Sequence, residues 1–129
     1  MKKIAKDVLF GILIIISITA LELIVTLPFG EPWELSPAGY SYFINRELLL
    51  TSLPAALVTF MFTRLLRTES KSDALRRGVV WTIIVFLNYF IIGSGNNNLG
   101  EIFRTFGIYT LLVGVFVGPV FYAKLKHLE

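Results

Sequence analysis

Long apolar runs alternate with short charged connectors along the whole chain. Four runs stand out: Val8–Leu27, Leu48–Leu66, Val79–Gly93 and Ile102–Ala123. A helix needs about 20 predominantly apolar residues to cross the hydrocarbon core of a bilayer. Because lipid offers the backbone no hydrogen-bond partner, each run has to pair its own N–H and C=O groups, which favours helix over strand. The pattern predicts an all-α integral membrane protein, a bundle of four transmembrane helices in one domain of residues 1–127.

The connectors carry the residues that interrupt regular structure. The first, from Pro28 to about Glu47, is rich in proline and glycine and is predicted to be irregular. Within it, Ala38–Asn45 contains three aromatic residues and is predicted to lie along the outer membrane surface, where such side chains collect. The second connector, Thr68–Arg77, is predicted to be a solvated loop that caps the next helix, and Gly93–Asn98 is predicted to be a turn.

Composition agrees with a lipid environment and excludes several kinds of chemistry. The chain is 55% hydrophobic and 16% charged, whereas soluble proteins average about 45–50% apolar and about 25% charged residues. It has no cysteine, which excludes disulfides and thiolate metal sites. Its single histidine, His127, is interpreted as part of a solvated end, and Leu128–Glu129 is typical of a cloning remnant.

Positive charge is distributed unequally between the two sides of the predicted bundle. Ten of the twelve lysines and arginines flank the start of the first run, the second connector or the end of the last run, and only Arg46 and Arg104 fall on the other side. Short loops rich in Lys and Arg stay cytoplasmic. The sequence therefore predicts a plasma membrane protein with both termini in the cytoplasm. The basic excess is explained by orientation and attraction to anionic lipid, so no nucleic-acid partner is expected.

Several polar residues are expected inside the outer half of the bundle. Glu22 and Asn88 each lie five residues before the outer end of a run, about 7 Å below the boundary at a rise of about 1.5 Å per residue. Ser52, Arg104 and Tyr109 reach a similar depth from the other two runs. Polar groups at such depth are costly and usually face protein or water, which makes these five residues the candidate ligand or ion pocket.

Three interpretations of this layer stay open. Glu22 and Arg104 could form a structural ion pair, since a carboxylate in lipid needs a partner. The layer could instead be a pocket, open to the outside, that binds an ion, a proton or a small polar ligand. Glu22 could also extend towards the surface and remain hydrated.

Small residues on the fourth run indicate a close helix contact. Gly107, Gly114 and Gly118 share one face, and the last two form a small-xxx-small pair. Such a face lets two backbones approach closely, within one chain or between chains.

The residues present disfavour an enzyme. No cluster of His, Cys or carboxylates suggests a metal site, no histidine base accompanies a serine, and no catalytic residue or cofactor is predicted. Four spans with a glutamate in the first are similar in topology to the small multidrug resistance transporters. The long first connector, the outward position of Glu22 and the third run, which lacks that family's aromatic–glycine signature, depart from the family.

Two function classes follow. The preferred one is a non-enzymatic accessory, protective or assembly partner of another membrane protein. The alternative is an oligomeric small transporter or channel that uses the polar layer around Glu22, since four helices can hardly enclose a pathway alone. Beyond the lipid bilayer, the expected partners are a second copy of the chain or another membrane protein.

Overall fold

Every element in the described part of the chain is helical. The computed structural model describes residues 2–26, 37–95, 97 and 99–128. The helices are α1 (Lys2–Thr26), α2 (Pro37–Leu65), α3 (Lys71–Gly95), α4 (Leu99–Phe103) and α5 (Phe106–Leu125). All but α4 are long and apolar enough to cross a membrane. The predicted all-α architecture with four potential spans is confirmed at this level.

The four long helices form a ring. Helix α5 packs on α2 and α3, and α1 packs on the other side of the same two helices. Helices α2 and α3 lie diagonally and touch little, while the described parts of α1 and α5 do not approach each other. The largest fully buried side chain is Trp81 of α3, which shares the core with Ile14 of α1 and Leu111 of α5. This arrangement brings the start of α1 and the start of α3 to the same end of the bundle.

The second helix begins much earlier than the apolar run does. It starts at Pro37 and continues to Leu65, so the prediction of an irregular connector up to about Glu47 is wrong for residues 37–47. The position of Ala38–Asn45 at the outer membrane surface stays a prediction. Proline is well tolerated at the first position of a helix, where its missing N–H has no intrahelical acceptor to lose. The backbone of this segment is described, whereas the surroundings of its aromatic side chains lie outside what the structure describes.

The fourth run is divided in two. Predicted to be helical from Ile102, it is broken after α4, and α5 starts at Phe106. Thr105 causes the break because it adopts an extended backbone conformation and its hydroxyl accepts the N–H of Ile108, as a helix N-cap does. Arg104 consequently lies in the bend between the two helices.

The glycine face of α5 lies against the backbone of α2. The N–H of Gly107 donates to Oδ1 of Asn45 at 2.7 Å. A Cβ atom built on Gly107, Gly114 or Gly118 would come within 2.5–2.7 Å of an α2 carbonyl oxygen, those of Asn45, Ser52 and Ala56 respectively. Real Cβ atoms do not approach oxygen so closely, so a side chain at any of the three positions would push the two helices apart.

We expect Gly118→Ala to destabilise the protein by about 1–3 kcal/mol, the range for overpacking a close interface. The gain of about 1 kcal/mol from the better helix propensity of alanine should not offset this loss, because the Thr59 hydroxyl obstructs the new Cβ together with two backbone atoms, the oxygen of Ala56 and the nitrogen of Phe60. Thermal unfolding in detergent micelles measures the change. Gly95→Ala is the matched control, since its Cβ would meet nothing within 4 Å. Equal stability of the two variants would contradict the packing account.

Candidate functional site

The five predicted pocket residues come from α1, α2, α3, the bend after α4 and α5, and a pocket shared by them stays a prediction. Among the described residues, no hydrogen bond or ion pair connects the side chains of any two of these five residues. The Ser52 hydroxyl donates to the carbonyl oxygen of Leu49 within its own helix, at 2.7 Å. The Tyr109 hydroxyl donates to the carbonyl oxygen of Phe103 at 2.9 Å, and its side chain is largely exposed. Asn88 is half-buried on α3.

The predicted pair between Glu22 and Arg104 is wrong. Arg104 is exposed, and no ion pair joins it to Glu22 in the described part of the chain. The bend imposed by Thr105 explains the difference, because it removes Arg104 from the face of α5 that carries the glycines. The prediction treated Arg104 as part of one continuous helix.

Glu22 instead has another carboxylate as its charged neighbour. Its Oε1 atom is buried and accepts no hydrogen bond. Glu47 of α2 is close enough for its charge to act on that of Glu22. Sequence reasoning missed Glu47 because the prediction assigned it to the irregular connector, whereas α2 extends past it. A carboxylate oxygen that is buried without a hydrogen bond is a candidate contact for a polar ligand.

The strongest polar assembly lies at the opposite end, around Asp7. This side chain is fully buried, at 0% exposure. Arg76 donates from Nε to Oδ2 of Asp7 at 2.7 Å, and Arg77 donates from Nε to Oδ1 at 3.0 Å. Asp73 accepts from Nη1 of Arg76 at 2.6 Å. Two carboxylates thus balance two guanidinium groups, so the buried cluster carries no formal net charge.

Hydrogen bonds extend this ion-pair cluster into three helices and one connector. The indole Nε1 of Trp81 donates to the backbone oxygen of Asp7 at 2.8 Å. Nη1 of Arg77 donates to the Thr68 hydroxyl, which in turn donates to the carbonyl oxygen of Thr63 in the last turns of α2 at 2.9 Å. The start of α1, the end of α2 and the start of α3 are therefore tied together. We call Asp7, Thr68, Asp73, Arg76, Arg77 and Trp81 the basal network.

The end of α2 has the geometry that brings Thr68 into the basal network. Arg67 adopts a left-handed conformation with φ 54°. The N–H of Thr68 then returns to the carbonyl oxygen of Thr63 at 3.3 Å, and that of Arg67 to Arg64 at 3.0 Å. These two bonds define a Schellman turn, the common C-terminal cap of helices. The turn reverses the chain and directs the Thr68 side chain into the bundle.

Sequence reasoning assigned the second connector to solvent, and this was wrong for three of its residues. Thr68 and Arg77 are buried, and Ala74 is fully buried. The predicted cap is confirmed, since Oγ of Ser70 accepts the N–H of Asp73 at 3.1 Å. One signal in the sequence could have indicated this burial. Asp7 is a lone aspartate at the same predicted end of the bundle as Arg76 and Arg77 and is therefore a possible ion-pair partner for them.

The described residues contain no group of three or more His, Cys, Asp or Glu side chains that could hold a metal ion. The basal network itself has the chemistry of a structural clamp, because each of its carboxylates is held by arginine. Comparison with known proteins yields no matching family model, curated protein or solved structure. The functional argument therefore rests on the chain's own residues.

We expect Asp7→Asn to destabilise the protein by about 3–5 kcal/mol, because the buried Arg77 loses its counterion. The midpoint of chemical unfolding in detergent micelles provides the measurement. Asp73→Asn is the matched control: it removes a carboxylate from the same cluster, but one that is 23% exposed, like its 25% exposed partner Arg76. The control should lose about 1 kcal/mol or less. An equal loss of unfolding free energy in the two variants would show that the buried Asp7 pairs stabilise the protein no more than the exposed Asp73 pair does.

Proposed function

We propose that this chain is a small non-enzymatic membrane protein that serves as an accessory, protective or assembly partner of another membrane protein. Its four long helices would span a plasma membrane, with both termini in the cytoplasm. The observation that carries the proposal is the basal network, whose ion-paired side chains serve to hold helices together. The surfaces left for interaction are the outward faces of the helices.

The outward faces support a lipid environment. Large apolar side chains are more than half exposed on each long helix, among them Leu23, Leu53, Ile91 and Val113. Contiguous apolar surface on this scale would drive a soluble protein to aggregate, whereas lipid or the helices of a partner would cover it favourably. Ser and Thr hydroxyls on these helices bond to carbonyl oxygens of the preceding turn, as Thr82 does to Gly78 at 2.6 Å. Such bonds keep polar atoms away from lipid.

The proposed orientation follows from the charges at the two ends of the bundle. The start of α1, the connector from α2 to α3 and the end of α5 share one end, and this end holds ten of the twelve Lys and Arg residues. The positive-inside rule assigns such an end to the cytoplasm. The pair Glu22 and Glu47 would then lie in the outer half.

The pair Glu22 and Glu47 favours the alternative, an oligomeric transporter or channel. A buried carboxylate oxygen without a hydrogen bond, close to a second carboxylate, has the chemistry of a proton or cation site. A pathway would need further copies of the chain, because the ring of four helices has a packed core.

Flux measurements separate the two functions. Purified protein in liposomes should give no proton or monovalent-cation flux above that of empty liposomes, and Glu22→Gln should behave as wild type does. Flux that wild type supports and Glu22→Gln abolishes would overturn the partner proposal and establish the alternative. Ser17→Ala, which removes a hydroxyl bonded within α1, controls for nonspecific leakage.

Cross-linking in the native membrane tests the partner directly. The chain has no cysteine, so a single cysteine on an outward face, such as Leu53→Cys or Ile91→Cys, labels one surface only. We expect one face to cross-link to a second protein at a fixed ratio, while cysteines on the other faces give only monomer. Monomer alone from every face, or copies of this chain alone, would contradict the proposal.

A further inference from the structure

A groove beside the basal network lies between the start of α3 and the end of α5. It has a volume of about 470 Å³, within the range of roughly 300–1,000 Å³ typical of ligand sites. Its lining residues come from these two helices and the turn after α5: Lys71, Ala74, Leu75, Val120, Ala123, Lys124, His127 and Leu128.

The polar part of the groove is cationic. Lys71, Lys124 and His127 are exposed, and none of them takes part in an ion pair with a described residue. Among the described residues, none that lines the groove carries a carboxylate. Arg76 and Arg77 differ in this respect, since Asp7 of α1 and Asp73 of α3 neutralise those two cations. Positive charge in the groove thus lacks a counterion within the described part of the protein.

The backbone holds His127 at the rim. Its left-handed conformation, φ 54°, closes a second Schellman turn, in which the N–H of Leu128 returns to the carbonyl oxygen of Ala123 at 2.9 Å. This turn places Leu128 over the groove as well. The rim is therefore formed by fixed backbone and by side chains that α3 and α5 present on facing surfaces.

The floor of the groove is apolar and belongs to the bundle. Ala74 and Ala123 are buried, and Val120 and Leu75 provide aliphatic surface beside them. The groove thus has a cationic rim at the end of the helices and an apolar floor that continues along them. An anionic ligand that filled it would need a charged head and an aliphatic part directly attached.

We propose that the groove binds the headgroup of an anionic phospholipid. The phosphodiester would interact with Lys71, Lys124 and His127, and the glycerol and upper acyl chains would cover Ala74, Leu75 and Val120. Each lysine close to an anionic membrane surface contributes favourably to binding. A free phosphate would neutralise Lys71 and Lys124 but would leave the apolar surface of Leu75 and Val120 uncovered. The lipid covers both parts of the groove and is therefore the better ligand.

Lipid binding to the full-length protein in a neutral detergent tests the proposal. Native mass spectrometry should show one tightly bound phosphatidylglycerol, with phosphatidylcholine bound at least tenfold more weakly. The double variant Lys71→Gln/Lys124→Gln should lose about 30-fold in affinity for phosphatidylglycerol, given the contribution of two lysines. The control Lys6→Gln/Arg64→Gln removes the same charge from exposed positions at the same end, outside the groove, and should bind as wild type does.

Three results would overturn the proposal. These are equal binding of the two lipids, equal loss in the control variant, and complete displacement of phosphatidylglycerol by millimolar inorganic phosphate. The last would assign the groove to a free anion. Both lysines are exposed and lack described ion pairs, so the double variant should keep its fold. If its thermal unfolding shifts, the single variants Lys71→Gln and Lys124→Gln provide the same comparison.

Discussion

A charged group removed from water must be paired, and this constraint organises the whole bundle. Asp7 lies near the start of α1 with no exposure to solvent, a position that an isolated carboxylate could occupy only at a large energetic cost. The two arginines of α3 compensate for it. Because the pairing fixes the start of α1 against the start of α3, it also fixes which helices can be neighbours. The ring order, with α1 and α5 on opposite sides, follows from that contact and from the glycine face of α5.

The two ends of the bundle solve the problem of buried charge in different ways. At the basic end, aspartates and arginines neutralise each other, and the side chains of Thr68 and Trp81 add further hydrogen bonds. Nη2 of Arg76 is buried there without a hydrogen-bond partner. At the other end, a carboxylate oxygen of Glu22 is buried without a hydrogen bond, and Glu47 is a second carboxylate in its surroundings. The first arrangement stabilises a fold, and the second could bind a proton or a cation. A protein with only the first function would have little need for the second, which is why the carboxylate pair is the strongest argument for the transport alternative.

The sequence predicted the helices far better than it predicted their polar contacts. Apolar run length is a strong signal, so the four long apolar helices were predicted, and the cap at Ser70 was predicted as well. The failures have local causes. Thr105 ends one helix and begins the next inside a run that is apolar on both sides. Hydropathy gives no sign of this break, so the sequence did not show that Arg104 lies in a bend. Arg77 was assigned to a connector because charge was taken to mean solvent, whereas pairing with Asp7 allows it to be buried. Glu47 was assigned to a connector because α2 begins well before its apolar run. The Asp7 pairs also span about 70 positions of sequence, a separation that no local pattern encodes.

A double-mutant cycle between Asp7 and Arg77 tests the organising role of this pairing most directly. Unfolding free energies of wild type, Asp7→Ala, Arg77→Ala and the double variant would be measured in the same detergent. A coupling energy of about 2 kcal/mol or more is expected, because Asp7→Ala leaves the buried Arg77 without its counterion and Arg77→Ala leaves the buried Asp7 with only one of its two arginines, whereas the double change removes both charges. Additivity of the two single changes within about 0.5 kcal/mol would contradict it.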